Sequence, residues 1–155
     1  IEHRTPTDLS PIILEIVSLM GSRAERHGIC LRTECEEPAI VLADPKRMEE
    51  LLGNLVSNAI NYSPDGGDVI LKAETRGKWV ELEVKDSGVG IPPEELNRIF
   101  DKFYRVRHPK TRKVIGTGLG LSIVKGIVEA HHGSMDVESA PDKGTTFKVM
   151  LPLFE

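Results

Sequence analysis

No apolar run in these 155 residues approaches the roughly eighteen needed to cross a membrane as a helix, and the start carries no signal-peptide pattern. There are only two cysteines, Cys30 and Cys35. They stand five apart on one expected strand, so their side chains point to opposite faces and cannot bridge. Nothing near them has metal-ligand spacing, and His27, His108, His131 and His132 lack ligand-like partners. A reducing, cytoplasmic setting follows, without membrane contact by this region. A net charge of −4 argues against a general nucleic-acid binder. The chain has no GxxxxGK[ST] phosphate loop, no GxGxxG after a strand, and no protein-kinase set of Lys, His-Arg-Asp and Asp-Phe-Gly. It also lacks internal repeats, low-complexity tracts and any sign of a second core.

What is present begins with Asn54-Leu55-Val56-Ser57-Asn58-Ala59-Ile60-Asn61-Tyr62. On a helix, positions 54, 58 and 61 fall within roughly 60° of one another, while Leu51, Leu52, Leu55, Val56, Ala59 and Ile60 supply packing faces. Asparagine is a mediocre helix former because its side chain competes for backbone hydrogen bonds. Three on one stripe read either as a solvated polar face or as amide oxygens for a hard cation that arrives bound to phosphates.

Two further features favour the second reading. Val80, Leu82 and Val84 alternate towards the core, and period two puts Asp86 on the same inward face. A carboxylate there is costly unless it meets a donor. Gly88 and Gly90 follow in Ser87–Pro92, where a ligand can approach the backbone closely; an Asx turn ending the strand is the plainer alternative. Thr145 shares a face with Phe147, Val149 and Leu151 and is expected beside Asp86. Lys102, Arg105, Arg107, Lys110, Arg112 and Lys113 then cluster ahead of Gly116-Thr117-Gly118-Leu119-Gly120. A basic, glycine-hinged loop in an acidic protein suggests a flap over a polyanion, against the alternative of a solvated surface loop.

The pattern predicts an extended Thr5–Asp8, a helix over 9–26 and strands at 29–35 and 39–43 joined by a turn around Glu37-Pro38. Asp44-Pro45 opens the asparagine helix with an N-cap and a proline at its first position. Hairpins are expected over 69–85 and 134–151, a short helix from Pro92-Pro93 to Ile99, and a further helix over 120–131. The expected fold is α+β: a two-layer sandwich with a mixed, mostly antiparallel sheet packed on three main helices.

The asparagine helix, DSGVGIP (86–92), FDKFYRV (100–106) and GTGLGL (116–121) occur in an order and spacing that resembles the ATP-binding catalytic domain of bacterial sensor histidine kinases. That domain belongs to the GHKL superfamily, with type II topoisomerases, Hsp90-type chaperones and mismatch-repair ATPases. The resemblance runs from about Asp8 to Leu151. It implies ATP and Mg²⁺ as cofactors, with Asn58 and Asn54 holding the metal and Tyr62 packing near adenine. Asp86 would accept from the exocyclic amine, and Gly88, Gly90, Ile91 and Thr145 would line the base pocket. Phe100 and Phe103 would anchor the lid beside Tyr104, and Arg105 would reach the terminal phosphate. Gly116, Gly118 and Gly120 would hinge the lid, Gly118, Leu119, Gly120 and Leu121 would give backbone N–H groups to phosphate, and Thr117 would lie at the nucleotide with them. Asn61 would also lie at the nucleotide, although it departs from the pattern, which has Lys, Arg or His there touching phosphate.

The reaction implied is transfer of the γ-phosphoryl group to a histidine on a separate dimerisation domain, in two-component signalling with a response regulator downstream. Related ATPases place a water-activating glutamate at the position of Asn54, and an amide cannot act as a base. Residues 1–8 are read as the linker from that dimerisation domain and 9–155 as the catalytic domain, monomeric by itself. The alternatives are a GHKL serine kinase or ATPase, or a nucleotide-binding regulatory module without transfer activity.

Overall fold

A computed structural model describes residues 3–35, 38–106, 108, 110 and 120–155. The chain runs β1 (Thr5–Asp8), α1 (Leu9–Arg26), β2 (Ile29–Cys35), β3 (Ile40–Ala43), α2 (Pro45–Asn61), β4 (Gly67–Arg76), β5 (Trp79–Asp86), α3 (Gly120–Ala130), β6 (Ser134–Ser139) and β7 (Thr145–Pro152). Five strands form one sheet in the order β2-β4-β5-β7-β6, and β1 and β3 form a separate antiparallel ribbon. Within the large sheet only β2 and β4 run parallel.

Helices α1 and α2 each start where the sequence supplies a cap. The Asp8 carboxylate accepts from Ser10 N–H, and Asp44 does the same for Lys46 N–H at 3.0 Å. Leu9, Ile12, Ile13 and Ile16 give α1 one buried stripe, and Met48, Leu51, Leu52, Leu55, Val56, Ala59 and Ile60 give α2 a broader one. Both stripes settle on the inward face of the sheet, where Val69, Leu71, Val80, Leu82, Val84, Phe147, Val149 and Leu151 are almost fully covered. Phe147 stands edge-on to Phe100, ring centroids 6.4 Å apart. The opposite face is solvated and crossed by charge pairs such as Glu34–Lys72 at 3.3 Å and Arg76–Glu81 at 2.8 Å, each worth at most about 1 kcal/mol.

Buried His131 joins α3 to the start of α2. Its Nδ1 lies 2.8 Å from the Ile127 carbonyl, so that nitrogen donates, and Nε2 accepts from Asp44 N–H at 3.2 Å. Burial lowers its pKa and keeps the ring neutral, as this pairing requires.

The consecutive strands β2 and β3 part company: β2 joins β4 in the main sheet, while β3 joins β1. One expectation needs correction. The helix expected over 92–99 shrinks to a single 3₁₀ turn, Pro93–Glu95. Pro92 and Pro93 supply no N–H, and only Ile99 of that stretch is buried among the residues after the turn, so little apolar stripe exists to hold a longer helix.

Candidate functional site

The register of three strands places the central carboxylate. Asp86 ends β5, directly opposite Val69 on β4 and Thr145 on β7. It is 6% exposed. Its Oδ1 accepts from Gly88 N–H at 2.8 Å and Thr145 N–H at 3.3 Å. Both bonds end on one oxygen, and Oδ2 has no hydrogen-bond partner among the described residues. Burial pushes the carboxyl up from 3.8 to about 6, against the two backbone donors, which pull it down. The group is therefore poised to be charged at neutral pH at a cost that an incoming donor can offset.

The wall beside it is the end of α2. Val89 N–H donates to the Tyr62 carbonyl at 3.0 Å, which fixes the loop after β5 against the last turn of the helix. A Cβ on Gly88 would overlap that same carbonyl oxygen, and one on Gly90 (φ 72°) would overlap the Ala140 carbonyl. The close approach that these glycines permit is thus between protein segments. Ser139, which the sequence did not single out, knits the far wall: its Oγ accepts from Ile91 N–H at 2.8 Å and pairs with Thr145 Oγ1 at 2.8 Å. A serine in an amphipathic strand has no local pattern that could have revealed this.

Asn54 and Asn58 are half-exposed on the outer side of α2. Asn54 Oδ1 lies 3.7 Å from where a Cβ on Gly120 would stand, so it faces the first turn of α3. Gly120 and Leu121 open that eleven-residue helix. Asn61 differs from its two companions: its Oδ1 accepts from the Arg23 guanidinium of α1. Arg23 also donates to Ser57 Oγ at 2.9 Å. Nothing in the local sequence marks Arg23, because it reads as an ordinary basic residue in the last turn of a helix.

Phe100 packs on the core through Phe147, with the Lys125 ammonium 5.8 Å from its ring. Phe103 is 71% exposed with a positive φ of 66°. Tyr104 is held by its hydroxyl on Glu95 and by the Arg98 guanidinium 4.5 Å from its ring. Arg105 is exposed. Lys110 reaches Asp65 at 2.6 Å, just beyond the end of α2, and that contact raises its pKa. Gly116, Thr117, Gly118 and Leu119 lie outside the described residues, as do Arg107, Arg112 and Lys113. Among the described residues there is no cluster of three or more His, Cys, Asp or Glu that could hold a metal.

The fold is an α+β sandwich, with a buried carboxylate at a strand end beside the last turn of an asparagine-faced helix. The family model described as "Histidine kinase-, DNA gyrase B-, and HSP90-like ATPase" matches residues 43–155, and the chain belongs to that family. It is 39% identical over 150 residues to the sensor-like histidine kinase SenX3 of Mycobacterium tuberculosis, across 97% of this chain. The match spans 37% of the SenX3 length. The mycobacterial sensor histidine kinase MprB superposes with a TM-score of 0.86 at 30% identity, covering 96% of this chain and 98% of that one. Full-length ShkA, solved in complex with AMPPNP, superposes at 0.83 and 30% identity, covering 97% of this chain and 31% of that one. This chain is a histidine-kinase-type catalytic ATPase domain, homologous to sensor histidine kinases. No helix among the described residues is long and apolar enough to cross a membrane.

Proposed function

We propose that this domain binds ATP with Mg²⁺ and transfers the γ-phosphoryl group to a histidine on a separate dimerisation domain, from which a response regulator is then phosphorylated. The observation that carries the reading is Asp86, a buried carboxylate with one oxygen uncommitted beside the end of the asparagine helix. Ionised, it accepts from the exocyclic amine of adenine, while Tyr62, Gly88, Gly90, Ile91 and Thr145 wall the base. AMPPNP in the related ShkA supports a nucleotide as ligand.

Asn54 and Asn58 are the residues that would hold Mg²⁺, whose charge would offset that building on the phosphates. Gly120 and Leu121 present the N-terminus of α3, where unpaired N–H groups and the helix dipole favour phosphate. Arg105, Gly116, Thr117, Gly118 and Leu119 complete the phosphate contacts, with Phe103 and Tyr104 at the base of the lid. The amide of Asn54 cannot abstract a proton from water, so attack falls to an external nucleophile. Residues 1–8 serve as the linker from the dimerisation domain, and the domain works in the cytoplasm.

The test is to mix the chain with labelled ATP, Mg²⁺ and a histidine-bearing dimerisation domain. The expected product loses its label in acid, as phosphohistidine does. An acid-stable product would point to a serine kinase, and steady release of phosphate without an acceptor would point to an ATPase.

A further inference from the structure

The Arg23–Asn61 contact has a place in the geometry of the site. Arg23 lies on α1, outside the motifs that mark the nucleotide site, yet its guanidinium is brought over the outer side of α2 by two neutral acceptors, Ser57 Oγ and Asn61 Oδ1. It makes no ion pair among the described residues. A guanidinium carries five N–H donors. Two are used here, which leaves three donors on a charged group with no ion-pair partner among the described residues.

Position along α2 decides what that charge would meet. The base end of the site lies at the C-terminal turn, where Tyr62 holds the loop that follows Asp86. The other end lies about 10 Å back along the helix, where Asn54 faces Gly120. Asn61 falls next to the base end, on the same stripe as Asn54 and Asn58. We propose that Arg23 binds the adenine-proximal phosphates of the nucleotide, with Asn61 and Ser57 as positioning residues that aim its guanidinium. This rests on the nucleotide reading above. It also gives Asn61 a role: its amide oxygen orients a cation in place of touching phosphate or metal. The planar fork suits bidentate contact with phosphate oxygens, and charge-assisted bonds of this kind outweigh the neutral ones it would keep or exchange.

Calorimetry in the presence of Mg²⁺ tests this with Arg23→Gln and Arg23→Lys, using ATP, ADP and adenosine as ligands. Arg23→Gln should weaken ATP and ADP by about tenfold or more and leave adenosine unchanged; Arg23→Lys, which keeps the charge but loses the fork, should fall between Arg23→Gln and the parent. On the unmodified chain, the Arg23 Nε–H resonance should shift on titration with ATP and stay still with adenosine, a readout that needs no variant to fold. Equal ATP affinity in Arg23→Gln and the parent, or parallel loss of ATP and adenosine, would overturn the assignment and leave Arg23 a staple between α1 and α2. If the parent chain binds no ATP at all, the nucleotide reading itself falls, and this inference with it.

Discussion

Asp86 and Thr145 face each other across neighbouring strands, and the Asp86 carboxylate accepts the Thr145 backbone N–H at 3.3 Å while Gly88 donates to the same oxygen at 2.8 Å. The result is a carboxylate half-satisfied by the protein and half-reserved. Burial raises its pKa to about 6, so its ionised form costs the fold on the order of 3 kcal/mol. That cost is the reason to expect stability and ligand recognition to oppose each other at this residue.

Asp86→Asn separates the two. The amide oxygen can still accept from Gly88 and Thr145, but its NH₂ would confront the adenine amine. We expect ATP affinity to fall at least roughly tenfold while the unliganded domain gains stability at pH 8. Because the folded pKa lies above the unfolded value, the wild-type deficit grows as pH rises from 3.8 through about 6 and is absent below that window. Thermal melts of both proteins at pH 8 and near pH 4 check this: the gain should vanish at the acid end.

ATP binding by the parent chain should itself follow Asp86. Affinity should be level above pH 7 and weaken as pH falls through about 6, approaching tenfold per pH unit below that. GTP presents a carbonyl where ATP presents an amine, so a protonated Asp86 can donate to it. Preference for ATP over GTP should therefore narrow in acid. Competition titrations at pH 5 and pH 8 read both effects, and a constant ratio would remove Asp86 from base recognition.

Asn58→Ala should abolish the Mg²⁺-dependent part of nucleotide affinity and leave binding in EDTA unchanged. The residue is half-exposed on α2, so the fold should survive the change. Calorimetry with and without Mg²⁺ gives the answer; equal enhancement by Mg²⁺ in both proteins would take Asn58 out of the metal site.

Glycines offer a paired test of packing. Gly90→Ala would combine a φ of 72° with a Cβ overlapping the Ala140 carbonyl, and should cost more than about 2 kcal/mol. Gly53→Ala, in the middle of α2 with nothing within 4 Å of the added carbon, should stabilise by about 0.5–1 kcal/mol. Urea denaturation of the two variants should move in opposite directions.

Turnover by the chain alone should be close to background, because Asn54 supplies no base to activate water. Phosphate release assayed over hours with Mg²⁺ and ATP, beside a binding measurement, distinguishes idle binding from no binding.

Local sequence determined the cap at Asp44, the limits of α1, the start of α2, and the inward direction of Asp86. Each follows from periods of 3.6 and 2 or from a cap chemistry that acts within a few residues. The motifs did the same for the family, since their order survives in the linear chain. Pairing was another matter. That β2 lies parallel to β4, while the next strand leaves for a ribbon with β1, depends on which faces of α1 and α2 need covering, a condition no strand states for itself. The 3₁₀ turn at Pro93–Glu95 and the exposure of Phe103 likewise depend on what the surrounding core leaves to pack against. Ser139 holding Ile91, forty-eight positions away, and Arg23 reaching Asn61, thirty-eight away, are contacts between residues whose own neighbourhoods carry no signal. Only the tertiary structure decides them, because only folding brings α1 over the asparagine stripe and the last hairpin against the loop after β5.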